Sequence, residues 1–181
     1  ERGGASLELL NKHIAVLGVG AVGSVVVDTL AAAGVGKLTV VDPDEYAADN
    51  VFRHVLDPMY IDLDKPTALK MALELRYPGL NVTAVPTAAQ TWLKTADLSQ
   101  YDGIVLAFGS PSIERSSSRA LKGRELDLPV VFTWLEALDL GGHSLLMWTK
   151  GEGCLNCAYR DDEGQPSLAS RTAFLEPNQP V

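Results

Sequence analysis

The stretch HIAVLGVGAVG, residues 13–23, decides the fold of this chain. Its first half, His13–Gly18, is a short apolar run that ends in glycine, which predicts a buried strand. The residues that follow, Ala21–Ala33, are rich in Ala, Val and Leu, and Gly34 predicts the end of a helix. The stretch therefore predicts a strand, a glycine turn and a helix in immediate succession.

Strand-like and helix-like segments continue to alternate outward from this unit. The predicted strands are Lys37–Asp42, Asn81–Val85, Gly103–Phe108 and Pro129–Leu135, with an added, differently directed strand at His143–Thr149. The predicted helices are Lys65–Tyr77 and Ser112–Arg124, with a turn or short helix at Asp97–Tyr101 and a long crossover loop over residues 43–64 that leaves room for a helical turn. This alternation predicts an α/β, Rossmann-like doubly wound fold, with a mostly parallel sheet, helices on both faces and added strands near the C-terminus.

Composition and charge exclude several classes of protein. The 181 residues are 46% hydrophobic and 21% charged, which is ordinary for a globular domain and excludes a collagen-like repeat or a coiled coil. A formal net charge of −8 without a basic run argues against nucleic-acid binding, because phosphate contacts need clustered Lys and Arg. No apolar run reaches the ~18 residues of a membrane span, so no membrane partner is expected. Two cysteines are too few for a disulfide framework, which favours a reducing, cytoplasmic setting.

The glycines at Gly18–Gly23 have the G-x-G-x-x-G pattern of a nucleotide-binding loop. The first permits a tight turn, the second lets the backbone approach a phosphate, and the third allows close packing of helix and strand. Asp42 ends the next strand roughly 20 residues later, where a carboxylate can hydrogen-bond a ribose, although it could equally form a turn before Pro43. This pattern predicts a nucleotide site and leaves NAD and ATP both open.

The sequence beyond the loop resembles the ThiF/MoeB family, the ubiquitin-activating type of adenylating enzyme. The resemblance rests on G-x-G-x-x-G-S at Gly18–Ser24, AAAGVGKLTVVDPD at Ala31–Asp44, N-x-x-R at Asn50–Arg53, a K-x-x-A-L helix headed by Lys65, and C-x-x-C at Cys154–Cys157. Each element alone is modest evidence, but their order and spacing are specific and cover nearly the whole chain. The pattern N-x-x-R-H at Asn50–His54 is similar to the one in bacterial ThiF-like proteins, including those fused to ubiquitin-transfer-like domains.

The resemblance implies ATP-dependent adenylation of the C-terminal carboxylate of a ubiquitin-like or otherwise glycine-tailed protein, with release of pyrophosphate. The triphosphate repels an attacking carboxylate, so this chemistry needs cations around the phosphates. By the resemblance, Arg53 and Lys65 supply those cations and Asn50 hydrogen-bonds the phosphates without adding charge. Each could instead be a surface charge or an Asx turn, but their occurrence together behind a nucleotide loop favours an active site. Because both cations follow a polar, turn-rich loop, little core packing is expected to depend on them.

The family's nucleotide-binding residues carry over onto Gly18, Gly20, Ala21, Gly23, Ser24, Asp42 at the ribose and Asp44 beside the nucleotide. Many relatives carry an Asp, after the strand that precedes Gly109, that helps to hold Mg²⁺. This chain has Ser110 there, so Mg²⁺ is expected to accompany ATP with its ligands unassigned.

Three further residues need a decision. Some relatives place the site lysine two residues after Lys65, where this chain has Thr67. The 12-residue step from Arg53 to Lys65 fits the bacterial pattern, so Lys65 rather than Lys70 is expected to be the site lysine. Relatives often borrow an arginine from the partner subunit's N-terminus, for which Arg2 is the candidate. His54 is expected to be a packing or loop residue, because a carboxylate nucleophile needs no base.

The tail carries a C-x-x-C, and we expect Cys154 and Cys157 to form half of a zinc site, with a second C-x-x-C and a thioester cysteine further along in relatives. A redox pair and two inert thiols are the alternatives. Residues 1–150 are thus predicted to form an ATP-binding adenylation domain, and residues 151–181 an irregular tail that leads into a region beyond residue 181.

The family usually works as a symmetric dimer, and the apolar segment Leu145–Trp148 could pack across a two-fold axis, so a homodimer is expected. Two other functions remain open: an NAD(P)-dependent oxidoreductase that uses the same loop, and a non-catalytic module that only binds a nucleotide or a partner.

Overall fold

The opening segment folds as strand β1 (His13–Leu17), a glycine turn and helix α1 (Ala21–Ala32) in the computed structural model, which describes residues 7–136, 140–167 and 170–173. Gly34 adopts a φ of +95°, and its N–H donates to the carbonyl of Ala31 at 3.0 Å. This left-handed residue turns the chain out of the helix, as the sequence predicts.

The other strands are β2 (Lys37–Val41), β3 (Asn81–Val85), β4 (Gly103–Leu106), β5 (Pro129–Leu135) and β6 (Gly142–Trp148), and the other helices are α2 (Lys65–Arg76), α3 (Ala89–Thr95) and α4 (Pro111–Lys122). The strand order is β3-β2-β1-β4-β5-β6, with every pair parallel except the antiparallel pair β5–β6. The predicted doubly wound, mostly parallel sheet with an added strand is therefore confirmed.

Helix α3 was not predicted. Its seven residues bury Trp92 and Leu93, but a helix of less than two turns is too short to display a helical period in the sequence. The crossover loop contains two short 3₁₀ turns, Ala48–Asn50 and Pro58–Tyr60, as its composition allowed.

Alternate residues of β1 pack on opposite faces of the sheet. Val16 belongs to a cluster with Val27 of α1 and Leu69 of α2. Ala15 and Leu17 belong to a second cluster with residues of α3 and α4. Because both faces are covered, the carboxyl ends of the parallel strands are where loops can meet around a ligand.

The described part of the tail contains regular structure that the sequence did not predict. Residues Leu155–Tyr159 form a 3₁₀ helix against α4, and both terminal side chains of this turn are buried. Both side chains join the cluster around α3 and α4. The domain boundary at residue 150 stays a prediction. Within the described part of the chain, no helix has the length and hydropathy needed to cross a membrane.

Candidate active site

The glycine loop brings α1 onto the sheet and leaves space in front of its second glycine. Gly18 has a φ of +83°, and a Cβ there would lie 2.7 Å from the ring of Phe108. A Cβ on Gly23 would lie 1.9 Å from the carbonyl oxygen of Gly18, so the third glycine permits the close helix–strand approach. A Cβ on Gly20 would meet no atom within 4 Å. The loop therefore presents open backbone and the positive end of the α1 dipole to the same space.

That space is a cavity of about 440 Å³ at the carboxyl ends of the parallel strands. A cavity of this size suits a nucleotide-sized ligand. The predicted residues that line it are Gly18, Gly20, Ala21, Asp42, Asp44 and Lys65. Further lining residues follow β3 and β4 or lie at the end of β5, and among these are Ala88, Gln90, Phe108, Gly109, Trp134 and Leu135.

Asp42 fixes the backbone of the loop. Its Oδ2 accepts from the N–H of Val19 at 2.8 Å, and its Oδ1 accepts from the N–H of Asp44 at 2.9 Å. The residue is 6% exposed and lies at the end of β2. A carboxylate held from two sides in this way keeps one orientation at the edge of the cavity.

Lys65 is the first residue of α2, and Pro66 follows it in the first turn, where a missing N–H costs nothing. Its ammonium group donates to Oδ2 of Asp44 at 2.9 Å, and its backbone N–H donates to the carbonyl of the same residue at 3.0 Å. Lys65 is only 7% exposed. The expectation that little packing depends on this lysine is therefore wrong, because its stem is enclosed and its charge is paired.

Asn50 and Arg53 lie in the crossover loop and do not line the cavity. Asn50 is buried, and its Oδ1 accepts from the N–H of Ala47 at 3.1 Å, which closes the 3₁₀ turn. The Arg53 side chain is 60% exposed, with the carboxylate of Asp49 at 3.8 Å. The structure thus gives Asn50 the local turn role that the sequence left open, and it leaves the guanidinium of Arg53 in solvent.

His54 connects this crossover loop to the glycine loop. Its Nε2 donates to the carbonyl of Val19 at 2.8 Å, and its Nδ1 accepts from the N–H of Leu56 at 3.3 Å. Burial lowers the pKa of His54, so the ring is neutral in this arrangement. His54 is thus the loop residue that the sequence predicted, and its ring joins the crossover loop to the glycine loop.

Two predicted nucleotide ligands lie behind the loop. Gly23 packs against Gly18, and the buried hydroxyl of Ser24 donates to the carbonyl of Ala21 at 3.2 Å. These residues support the loop and do not line the cavity. Arg2 lies outside the described residues.

Sequence reasoning missed the far wall of the cavity. Ala88 and Gln90 follow β3, Phe108 follows β4, and Trp134 lies in β5 near its end. The available signal was positional, because ligands of open α/β sheets bind beyond the carboxyl ends of the strands. No residue type in these segments marked them as lining the cavity.

Glu114 stands behind this wall. Its carboxyl group, on the first turn of α4, accepts from the N–H of Gly109 at 3.1 Å, and the residue is 1% exposed. Burial raises the pKa of Glu114 to about 7, although hydrogen bonds from the backbone of Gly109 and Phe108 act in the opposite direction. A carboxyl group that is largely enclosed therefore holds the loop that faces Gly18.

The carboxylates in the cavity do not supply an evident Mg²⁺ site. Asp42 has both oxygens bound to backbone N–H groups, and Asp44 is paired with Lys65. In the described ranges, no group of three His, Cys, Asp or Glu side chains could hold a metal ion. Magnesium ligands therefore remain unassigned in this chain.

The two cysteines lie close together in the tail, with their sulfur atoms 3.7 Å apart. Two thiolates on a tetrahedral zinc ion, each about 2.3 Å from the metal, are separated by about 3.8 Å. Cys154 is half-buried and Cys157 is exposed. The observed separation fits half of a zinc site.

A sequence model described as "ThiF family" matches residues 3–177. The chain is 31% identical over 164 residues to the ATP-dependent ubiquitin transferase-like protein Cap2 of Pseudomonas aeruginosa, covering 87% of this chain and 28% of that protein. It is 35% identical over 166 residues to the adenylyltransferase and sulfurtransferase UBA4 of Kluyveromyces lactis, covering 91% of this chain and 36% of that protein. The chain thus spans about a third of the length of these relatives.

Solved structures have the same fold. The structure of E. coli MccB with SeMet MccA superposes with a TM-score of 0.67 at 21% identity, covering 86% of this chain and 46% of that chain. E. coli tRNA N6-threonylcarbamoyladenosine dehydratase, solved in complex with AMP, superposes with a TM-score of 0.59 at 23% identity, covering 69% of this chain and 51% of that chain.

Proposed function

The chain belongs to the ThiF family, and on that premise we propose that it is an ATP-dependent adenylyltransferase domain that activates the C-terminal carboxylate of a ubiquitin-like or glycine-tailed protein. One observation carries the proposal: the open backbone at Gly20, the fixed carboxylate of Asp42 and the enclosed ammonium of Lys65 converge on one cavity. The names of the relatives, an ATP-dependent ubiquitin transferase-like protein and an adenylyltransferase, support the same activity.

The chemistry needs cations more than it needs a base. A carboxylate oxygen of the acyl partner forms a bond to the α-phosphorus of ATP, the bond to the bridging oxygen breaks, and pyrophosphate leaves with the electron pair. The carboxylate is already ionised at neutral pH, so no proton has to be removed. The residues must hold the triphosphate in line and offset its negative charge.

We assign these tasks by position in the site. The N-terminus of α1 and the ammonium of Lys65 face the cavity and would bind phosphate oxygens, while Asp42 would hold the ribose. Arg53, whose neighbour His54 is bonded to the glycine loop, would bind the phosphates with its planar fork once its side chain turns inward. The Asn50 amide would help from the neighbouring turn. No step is routed through Mg²⁺, whose ligands are unassigned.

Two measurements test this function against its alternatives. Calorimetry is expected to show binding of ATP and none of NAD, and tighter binding of NAD would replace the proposal with an oxidoreductase. Exchange of labelled pyrophosphate into ATP, with a glycine-tailed protein as the carboxylate that accepts the adenylyl group, is expected to depend on that protein. ATP binding without any exchange would make the chain a non-catalytic binding module.

We further propose a homodimer through the outer face of β5 and β6. The antiparallel register places Val131 opposite Leu146, so the outward side chains Leu135, Leu146 and Trp148 share one face. These three are 60%, 59% and 47% exposed, whereas Met147 on the opposite face is buried. An exposed apolar strip of this kind is typical of a protein–protein contact. Within the segment Leu145–Trp148, alternate residues are thus the ones available to a partner.

We also propose that Cys154 and Cys157 supply half of a structural zinc site in a reducing, cytoplasmic protein. The support is the sulfur separation of 3.7 Å, which suits a tetrahedral metal. Titration with Co²⁺ is expected to produce a thiolate-to-metal charge-transfer band that Cys154→Ser abolishes. A wild-type chain that never develops the band would contradict the assignment.

A further inference from the structure

A second cavity, of about 260 Å³, lies between α4 and the tail, away from the glycine loop. Its lining includes three arginines, Arg115, Arg119 and Arg160, together with Cys154 of the proposed zinc half-site, and no carboxylate. The chain as a whole carries a net charge of −8, so the sign of the charge in this cavity is opposite to that of the whole chain. The cavity shares no lining residue with the nucleotide cavity.

The arginines are held in place by neutral partners. Arg115 Nε and Arg119 Nη1 both donate to the one oxygen Oδ1 of Asn156, each at 3.2 Å. The Asn156 amide in turn donates to the carbonyl of Arg115 at 3.2 Å, and the Arg115 guanidinium lies over the Tyr159 ring at 4.8 Å. Arg160 is fixed by a bond from Nη1 to the carbonyl of Gly164 at 2.6 Å.

None of these three guanidinium groups has a carboxylate within 4 Å among the described residues. By contrast, three other described arginines are each paired with an aspartate, namely Arg53, Arg76 and Arg171. Like charges one helical turn apart, as Arg115 and Arg119 are, destabilise a helix. An arrangement that holds them side by side without a counter-charge is stabilised when an anion enters between them.

We propose that this cavity is a binding site for a phosphate-type oxyanion. Guanidinium forks bind phosphate oxygens through pairs of parallel N–H donors, and a group with three free oxygens can engage three arginines at once. The N–H groups of Arg115 and Arg119 that do not bind Asn156 are the donors for it. The site is separate from the adenylation chemistry and does not rest on the proposed function.

The test follows individual side chains, because phosphate can also enter the glycine loop. Inorganic phosphate is titrated into the chain at constant ionic strength in exchange for chloride, and the Nε signals of Arg115 and Arg119 are followed by NMR. A saturable shift with a midpoint below about 10 mM is expected. The double variant Arg119→Gln/Arg160→Gln is expected to weaken it at least tenfold. Arg124→Gln, an exposed arginine just after the same helix that does not line the cavity, is the matched control and should leave the midpoint unchanged.

Two further probes define the ligand. Acetate at the same concentrations is expected to shift these signals much less, and equal affinity for acetate would overturn the assignment to a phosphate-type oxyanion. A phosphoserine peptide that binds more tightly than inorganic phosphate would identify a phosphorylated protein as the source. Preference for inorganic phosphate would identify a free anion. Shifts that grow linearly with phosphate, or that survive in the double variant, would overturn the site.

Discussion

The ammonium group of Lys65 lies 2.9 Å from Oδ2 of Asp44, and the two side chains differ greatly in exposure, at 9% and 65%. The lysine is enclosed by the fold, whereas the aspartate can be solvated. A phosphate entering the cavity would therefore compete with Asp44 for a cation that is already in place. The pair keeps the positive charge of Lys65 at the cavity wall when no phosphate is bound.

Replacing Lys65 with Met should abolish most of the chemistry and preserve the fold. Met retains the apolar stem in its enclosed position, and the exposed Asp44 can be hydrated when its partner is lost. Loss of a cation that stabilises the transition state costs on the order of 10²–10³ in rate, measured by pyrophosphate exchange. Lys70→Met, in the same helix but bonded to Glu74 and the Val82 carbonyl, is the control and should retain exchange. Full exchange by a folded Lys65→Met protein would remove Lys65 from the mechanism.

Arg53→Ala should separate catalysis from stability more cleanly. The side chain is exposed, and its contact with Asp49 at 3.8 Å is a surface ion pair, so the melting temperature should hardly change. Exchange should fall by about 10²–10³ if the guanidinium binds the phosphates during reaction. Asp49→Ala removes the same ion pair but keeps the cation of Arg53, so it should leave exchange intact. Equal activity of the two variants would show that Arg53 acts only at the surface.

Asp42→Ala should weaken both nucleotide binding and the fold. The carboxylate orients the N–H groups of Val19 and Asp44, and leaving such buried donors unpaired costs about 1–3 kcal/mol. The loss of ATP affinity, measured by calorimetry, should exceed that of a variant that is equally destabilised elsewhere. Asp28→Ala, which removes the contacts of α1 to Arg76 and Tyr77 outside the nucleotide cavity, provides that comparison. If both variants bind ATP equally well, Asp42 has no direct role at the nucleotide.

Glu114 should make stability depend on pH. Its pKa rises from an ordinary 4.5 to about 7 in the folded chain, so between these values the native state keeps a proton that the unfolded state has released. The free energy of unfolding should therefore fall as the pH rises from about 4.5 to 7. Glu114→Gln cannot ionise and retains an acceptor for the N–H of Gly109. Between about pH 4.5 and 7, its free energy of unfolding should therefore rise relative to that of the wild type by on the order of 2–3 kcal/mol. Denaturant unfolding at several pH values measures this difference.

The matched control for that experiment is Glu125→Gln, an exposed residue just beyond α4. Its unfolding free energy should follow that of the wild type at every pH. A constant offset between Glu114→Gln and wild type would mean that Glu114 ionises normally in the folded chain.

Leu146→Asp should dissociate the proposed homodimer. A charge in the middle of the outer face of β5 and β6 would have to be desolvated in the contact. Sedimentation at tens of micromolar, a range that detects weak dimers, is expected to show a dimer for the wild type and a monomer for the variant. Leu75→Asp, at an 80% exposed position on α2, should remain dimeric. A monomeric wild type would contradict the dimer directly.

Local rules were enough for the framework of the protein. The glycine spacing at Gly18–Gly23, the apolar run before it and the stop at Gly34 each reflect sterics within a few residues, so they are readable in sequence. The position of Asp42 after a predictable strand is also local information, whereas Lys65 at the start of α2 was chosen through the resemblance to the ThiF/MoeB family. The parallel direction of β1 to β5 follows from strand–helix alternation, and the sequence also predicted the added, differently directed strand that the structure shows as β6.

Only the tertiary structure decided what surrounds those residues. The pairing of Lys65 with Asp44 joins residues that are 21 positions apart, and the burial of Glu114 depends on the elements that cover α4. The turn of Asn50 is local, and the structure selects it from the alternatives that the sequence left open. The clustering of Arg115, Arg119 and Arg160 also required the tail to fold back on α4, where Leu155 and Tyr159 are buried. Sequence periodicity reports which residues share a face of one element, whereas burial and charge pairing depend on which other element covers that face.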